Sequence, residues 1–271
     1  MKSEKRKAMV LAAIMILAVL AVMPATAHYP GAVINSNWKT ITPTIDGIFS
    51  PGEWDDATVI DIQAADPANP FAAYGYFKND GTFLYILLDA SGDITQDGGD
   101  RGVISFDTGH DAIYTDGAED NFAITGAGLT GHYVWNATAV GYVTHCSPFD
   151  PTLPDHAGLA GAVGFGASPN SGTNHRIYEY RIPLALIEAV PGDTLGFALD
   201  GEIHYGIYDS SRPGCDQWPF YRGAAIMISE YGDIVLASRA AVPALTPIGI
   251  AALVGLLSIT ATNTILRRKK R

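Results

Sequence analysis

Residues 72–88, AAYGYFKNDGTFLYILL, consist of two apolar, aromatic-rich runs separated by a turn signal. Ala72–Phe77 and Phe83–Leu88 are too short for helices of ordinary length and carry the aromatic residues that strands favour. Between them, Asn79-Asp80-Gly81 reads as a hairpin turn, because Asp-Gly tolerates the positive φ that such turns need. The same pattern extends in both directions. Strands are expected at Val59–Ile62, Val103–Phe106, His132–Trp135, Val140–Thr144, Arg176–Ile182, Leu195–Leu199, Ile203–Tyr208, Ala224–Ser229 and Ile234–Leu236. Only Leu184–Ala189 reads as helical, for about one turn, and residues 146–174, rich in Pro, Gly and Ser, read as a long loop. No internal repeat is present. Many short strands with polar turns define an all-β fold, an antiparallel β-sandwich of jelly-roll type.

The chain has 271 residues, a formal charge of −11, 17% charged and 48% hydrophobic residues, and only 2 cysteines. That balance excludes intrinsic disorder. The acidity argues against a nucleic-acid partner, and two cysteines are too few for a disulfide-built miniprotein or a cysteine-ligated zinc module.

The two ends are addresses rather than fold. Residues 2–7 (KSEKRK) are basic, residues 8–23 are apolar, and Ala25-Thr26-Ala27 is a small-x-small cleavage signature, so residues 1–27 read as a secretory signal and the mature protein begins near His28. Ile248–Leu266 is a 19-residue apolar run followed by Arg267, Arg268, Lys269, Lys270 and Arg271. It is long enough to cross a bilayer core of roughly 30 Å, and the cations should stay cytoplasmic. Without the four cations and one acid of the leader and the five cations of the tail, residues 28–241 hold 8 Lys/Arg and 27 Asp/Glu, a charge of −19. Such a field repels anionic partners and attracts cations.

Two resemblances sharpen this reading. Val242-Pro243-Ala244-Leu245-Thr246-Pro247, one apolar span and a basic tail together resemble the C-terminal sorting signals handled by archaeosortases, in the V-P-x-x-x-P form. The resemblance implies an archaeal envelope protein, cut near Val242, Pro243 and Pro247 and passed to a lipid. A plain membrane anchor over residues 242–271 is the alternative. Within the ectodomain, Pro43-Thr44-Ile45-Asp46-Gly47 followed by Gly52-Glu53-Trp54-Asp55-Asp56-Ala57 resembles the opening of family 9 carbohydrate-binding modules and their DOMON-like relatives. Asp80–Tyr85, Gly102–Asp107, and Tyr178–Leu184 with Pro191-Gly192-Asp193 resemble later elements of that family, in order, across roughly residues 43–236. The long Gly/Pro loop and the lack of a recognisable sugar-stacking pair depart from the family.

Several residue sets could carry function. Sugar rings stack their C–H faces on exposed aromatic rings. Trp218, in the mixed segment Cys215–Tyr221, is the first aromatic candidate, followed by Trp135, Tyr205 and Tyr208, whereas Trp54 reads as core. Asp93, Asp97, Asp100 and Asp107 offer the hard oxygens that Ca²⁺ takes six to eight at a time, or they form a solvated acidic loop. Their spacing is not that of an EF-hand, but family 9-like modules often hold structural calcium. Asp116, Glu119 and Asp120 read as turn decoration. Cys146 and Cys215 in an exported domain read as a disulfide. Asn136-Ala137-Thr138 is a glycosylation sequon. The seven histidines show no H-E-x-x-H or C-x-x-C-H spacing, and no nucleophile elbow or phosphate loop occurs.

The leading function is therefore a non-catalytic, surface-displayed binding module for glycan. A structural or adhesive envelope protein with a cation-bridged acidic surface comes second. Third is electron transfer, since the family also resembles the haem b subunit of ethylbenzene dehydrogenase-type enzymes, whose iron takes a methionine and a lysine. Residues 28–241 offer only Met227, Lys39 and Lys78 for that role.

Overall fold

A computed structural model describes residues 28, 31–62, 72–96, 100–117, 119–126, 128–139, 141–146, 156–202, 216–218 and 228–239. Residues 1–27 and 242–271, read above as a leader and a C-terminal anchor, lie outside these residues. Strands β1 (Val33–Asn35), β6 (Arg101–Asp107), β7 (Glu119–Thr125), β8 (Gly128–Asn136), β9 (Gly141–Cys146), β12 (Thr194–Glu202), β13 (Asp216–Trp218) and β14 (Gly232–Val235) form one sheet. Its order is β1-β14-β12-β6-β7-β8-β9, with β13 also pairing β12. The second sheet has β2 (Asn37–Trp38), β3 (Thr58–Asp61), β4 (Tyr74–Asn79), β5 (Phe83–Ala90), β10 (Ala160–Ser168) and β11 (Ser171–Pro183), in the order β10-β11-β5-β4-β2, with β3 also pairing β4. Pairing is antiparallel except for β1 with β14 and β2 with β4.

Alternation along the strands builds the core. Leu84, Ile86 and Leu88 of β5 and Tyr178, Tyr180 and Ile182 of β11 face Ile104, Phe106, Phe122, Phe197 and Leu199 of the other sheet in one buried cluster. Phe77 meets Phe197 edge-on across the layers, with ring centroids 5.6 Å apart. This is a β-sandwich.

The intervening residues of the second sheet build a smaller outer cluster. Tyr76, Tyr85, Leu87 and Ile177 are capped there by Trp54, only 2% exposed, so Trp54 is core. Glu179, on the same face, holds the capping segment down. Its Oε2 accepts the N–H groups of Asp46 (2.9 Å) and Gly47 (2.8 Å), and its Oε1 accepts Trp54 Nε1–H at 3.1 Å. Lys78, fully buried, lies 4.9 Å from the Trp54 ring centroid. It donates to the carbonyls of Ile41 and Glu53 and to Asp56 Oδ1.

Burial alone would raise the Asp56 carboxyl, but Lys78 and the N–H groups of Thr40 and Ile41 hold it at about 2. A carboxylate lowered on folding adds stability above its ordinary pKa and loses it as pH falls through the folded value. Asp56 should therefore contribute about 2 kcal/mol at pH 6, lost between roughly pH 4 and pH 2. Urea midpoints should show the gap between wild type and Asp56→Asn closing across that window; a constant gap would contradict this.

The structure changes several expectations. The stretch read as a loop holds β10 and the start of β11. The predicted helical turn is a 3₁₀ turn, Leu184–Ile187, closed by Glu188 at φ 50°. The 80–82 turn needs no left-handed φ at Gly81. Asp80 Oδ1 closes it instead by accepting Thr82 and Phe83 N–H at 2.7 and 2.8 Å. Glu119 and Asp120 do not decorate a turn: both are buried in β7, at 1% and 6% exposure.

Candidate functional site

Among the described residues, a close grouping of histidine and carboxylate side chains lies on the outer face of the first sheet. Gly196 of β12 pairs with Asp107 of β6 on one side and Asp233 of β14 on the other, so all three positions share one face. A Cβ on Gly196 would stand 2.6 Å from His28 Cε1 and 2.7 Å from Asp107 Cβ. The missing side chain thus makes the notch in which the buried His28 ring lies. His28 Nε2 donates to Asp107 Oδ2 at 2.9 Å, and Nδ1 lies 3.1 Å from Asp233 Oδ1. From the loop after β6, His110 donates Nε2–H to the same Asp233 oxygen at 2.9 Å.

Electrostatics follow from this packing. Burial lowers the His28 pKa, but the Asp107 and Asp233 carboxylates more than offset it, and the net shift is upward. Burial raises Asp107, yet His28 and the N–H groups of Ala112 and His110 bring it below the ordinary carboxylate value. Both ring nitrogens of His28 thus face carboxylate oxygens, a setting that favours the charged ring. Among the described residues, His28, His110 and Asp233 offer ligand atoms that all lie within 4.8 Å of one another.

Tyr231, Ile228, Ala198 and Tyr114 form an apolar shelf beside this cluster. Tyr114 stacks on Trp135 with centroids 3.9 Å apart and planes at 18°, and both rings are part-exposed. Nearby, burial pushes the Glu119 carboxyl up to about 7.

The other sequence candidates separate in space. Trp218 sits in β13 opposite Leu199, and Cys146 ends β9 opposite His132. Asn136 ends β8. Tyr205, Tyr208, Asp97, Cys215, Met227, Val242, Pro243 and Pro247 lie outside the described residues. Asp93 and Asp100 are brought together, both buried, and burial and then Asp100 push the Asp93 carboxyl up to about 6. Arg176 Nε donates to Asp100 Oδ2 at 2.7 Å, so a cation already serves this pair. Asp107 is not with them. It closes β6 at the opposite end from Asp100, roughly 20 Å away at about 3.3 Å per residue.

The lysines considered as haem ligands are engaged elsewhere, Lys78 as above and Lys39 with Asp80 Oδ2 at 2.6 Å. Neither can serve as a neutral axial ligand without losing these bonds. Two further buried pairs orient imidazoles, His175 with Asp89 on the outer face of the second sheet and His132 with Asp120 against Phe122 of the core.

Sequence reading reached Asp107 but missed His28, His110 and Asp233 as a group. They are 82 and 205 residues apart in sequence from His28, so no local spacing shows them. The usable signal was the position of His28 immediately after Ala25-Thr26-Ala27.

No family model matches the sequence, and no curated protein is significantly similar to it. Among solved structures, the chain is similar to a family 9 carbohydrate-binding module from Caldicellulosiruptor kristjanssonii in complex with cellotriose. That likeness has a TM-score of 0.45 and 15% identity, over 78% of this chain and 97% of that one. A structure of a family 9 module from the same organism in complex with glucose gives 0.44 and 15%, over 79% and 100%. At that level neither likeness assigns a residue role or a ligand to this chain.

Proposed function

We propose that residues 28–241 form a non-catalytic carbohydrate-binding module held outside the cell by the segment 242–271. The observation that supports this reading most is the Glu179 contact set. Gly47 and Trp54, from the two halves of the opening that resembles family 9 modules, and Glu179, from the later Tyr178–Leu184 motif, meet at one buried point. The part-exposed Trp135–Tyr114 stack is the ligand platform we favour, since sugar C–H faces pack on such rings. An archaeal envelope completes the proposal, with segment 242–271 either kept as the anchor or exchanged for a lipid after cleavage near Val242–Pro247, and with a Cys146–Cys215 disulfide in the exported form.

Glycan-array binding of the processed chain tests it. Polysaccharide retention is expected, and Trp135→Ala should weaken it about tenfold or more, the equivalent of roughly 1.4 kcal/mol. A blank array would refute carbohydrate recognition and leave the adhesive envelope reading. Retention unchanged in Trp135→Ala would move the ligand to another face.

A further inference from the structure

His28 has two properties that meet only after export. It follows the cleavage signature directly, so hydrolysis of the Ala27–His28 peptide bond by a signal peptidase leaves a carboxylate on Ala27 and a free α-amino group on His28. Its ring is already fixed in the Gly196 notch, with Nε2–H donated to Asp107 Oδ2 at 2.9 Å. That contact reserves Nδ1 for whatever lies toward Asp233. A carboxylate on the far ring nitrogen is the usual device that orients a metal-ligating histidine and sets its tautomer.

On the near side, His28 Nδ1 and His110 Nε2 converge on one atom, Asp233 Oδ1, at 3.1 and 2.9 Å. The loop that delivers His110 is strained. His110 and Ala112 take left-handed φ values of 50° and 60°, which side-chain-bearing residues adopt at a cost. Strain held at a point where two imidazoles and a carboxylate meet is spent on placing them.

We propose that the mature N-terminus of this protein is a copper(II) site, ligated by the α-amino group and Nδ1 of His28, Nε2 of His110 and a carboxylate oxygen of Asp233. The amine and Nδ1 belong to one residue and close a six-membered chelate ring through Cα, Cβ and Cγ. Three nitrogens and one oxygen suit the tetragonal geometry of Cu(II), which also stands highest in affinity among the divalent first-row metals for such donors. The bound ion takes the place of the hydrogens through which His28 Nδ1 and His110 Nε2 now meet Asp233. The proposal rests on the export reading of residues 1–27, but not on carbohydrate binding.

The test uses the full chain processed through its own leader, with the N-terminus read by sequencing and Cu(II) as the probe. The processed chain should begin at His28 and bind one Cu(II). The bound ion should give an axial electron paramagnetic resonance spectrum with nitrogen hyperfine splitting. The uncut precursor, obtained with Ala25→Leu plus Ala27→Leu, lacks the amine and should bind about 100-fold more weakly or worse. His110→Gln should do the same, and Asp107→Asn should cost about 10–100-fold. Circular dichroism melts separate misfolding from loss of ligands, and His110, part-exposed on its loop, is the variant least dependent on packing. A mature chain that begins elsewhere, or that binds Cu(II) no more tightly than its precursor and His110→Gln, would overturn the proposal. Glycan retention measured on the copper-free chain fails or succeeds independently, so the two readings can fall separately.

Discussion

Glu179→Ala should melt roughly 10–15 °C below the wild type while keeping a cooperative transition. The alanine leaves three N–H donors, from Asp46, Gly47 and Trp54, without the carboxylate they now reach at 2.8–3.1 Å. Glu179 and Trp54 are 0% and 2% exposed, so water cannot substitute freely. An orphaned buried donor costs about 1–3 kcal/mol, and the void adds a packing loss. Relief of the buried carboxylate offsets part of this, leaving about 3–5 kcal/mol. For a domain of this size each kcal/mol is worth roughly 2–4 °C.

The pH dependence gives a second check on the same variant. Burial pushes the Glu179 carboxyl up to about 7 despite its three N–H donors. Between the ordinary glutamate value and 7 the native state therefore holds the proton more tightly than the unfolded chain. Wild-type stability from this group is full below about pH 4.5 and declines as pH rises through 7, so the gap to Glu179→Ala should narrow from pH 5 to pH 8. A variant that melts within 2 °C of the wild type would remove Glu179 as the clasp of the capping segment.

The parts of this fold that were legible in sequence are those decided by local pattern. The runs flanking Asn79-Asp80-Gly81 became β4 and β5 because alternation and turn chemistry agree there. Strand β10 was not legible, since Ala160–Ser168 contains three glycines and sits in a Pro/Gly-rich stretch. Gly164 answers to Gly47, more than a hundred residues away, rather than to a turn. Strand β7 was missed for a similar reason. Glu119 and Asp120 look solvated in sequence, but Asp107, Asp111, His132 and Thr115 surround them in space. The candidate metal centre depends on cross-strand register at Asp107, Gly196 and Asp233, which no single segment encodes.

Gly164→Ala should be as damaging as Glu179→Ala, for a purely steric reason. A Cβ on Gly164 would stand 1.8 Å from the Gly47 carbonyl oxygen and 2.7 Å from its carbonyl carbon. Both atoms are backbone, so no side-chain rotation relieves the clash. Gly47 in turn has φ +79°, and its own Cβ would lie 2.5 Å from the Gly164 nitrogen. The Asp46-Gly47 turn therefore lies directly on β10, and Glu179 on the adjacent strand β11 receives its N–H groups. Gly164→Ala must lift that turn, strain β10, or both, at a cost of about 3 kcal/mol or more. Gly166→Ala is the matched control on the same strand, because a Cβ there meets nothing within 4 Å. It should change stability by no more than about 0.5 kcal/mol. Since Gly164→Ala and Glu179→Ala release the same turn, the double variant should lose less than the sum of the two. Thermal melts of the four chains decide the point. If Gly164→Ala melts with Gly166→Ala, the turn is not seated on β10; if the two large losses add in full, Gly164 and Glu179 act on different parts of the capping segment.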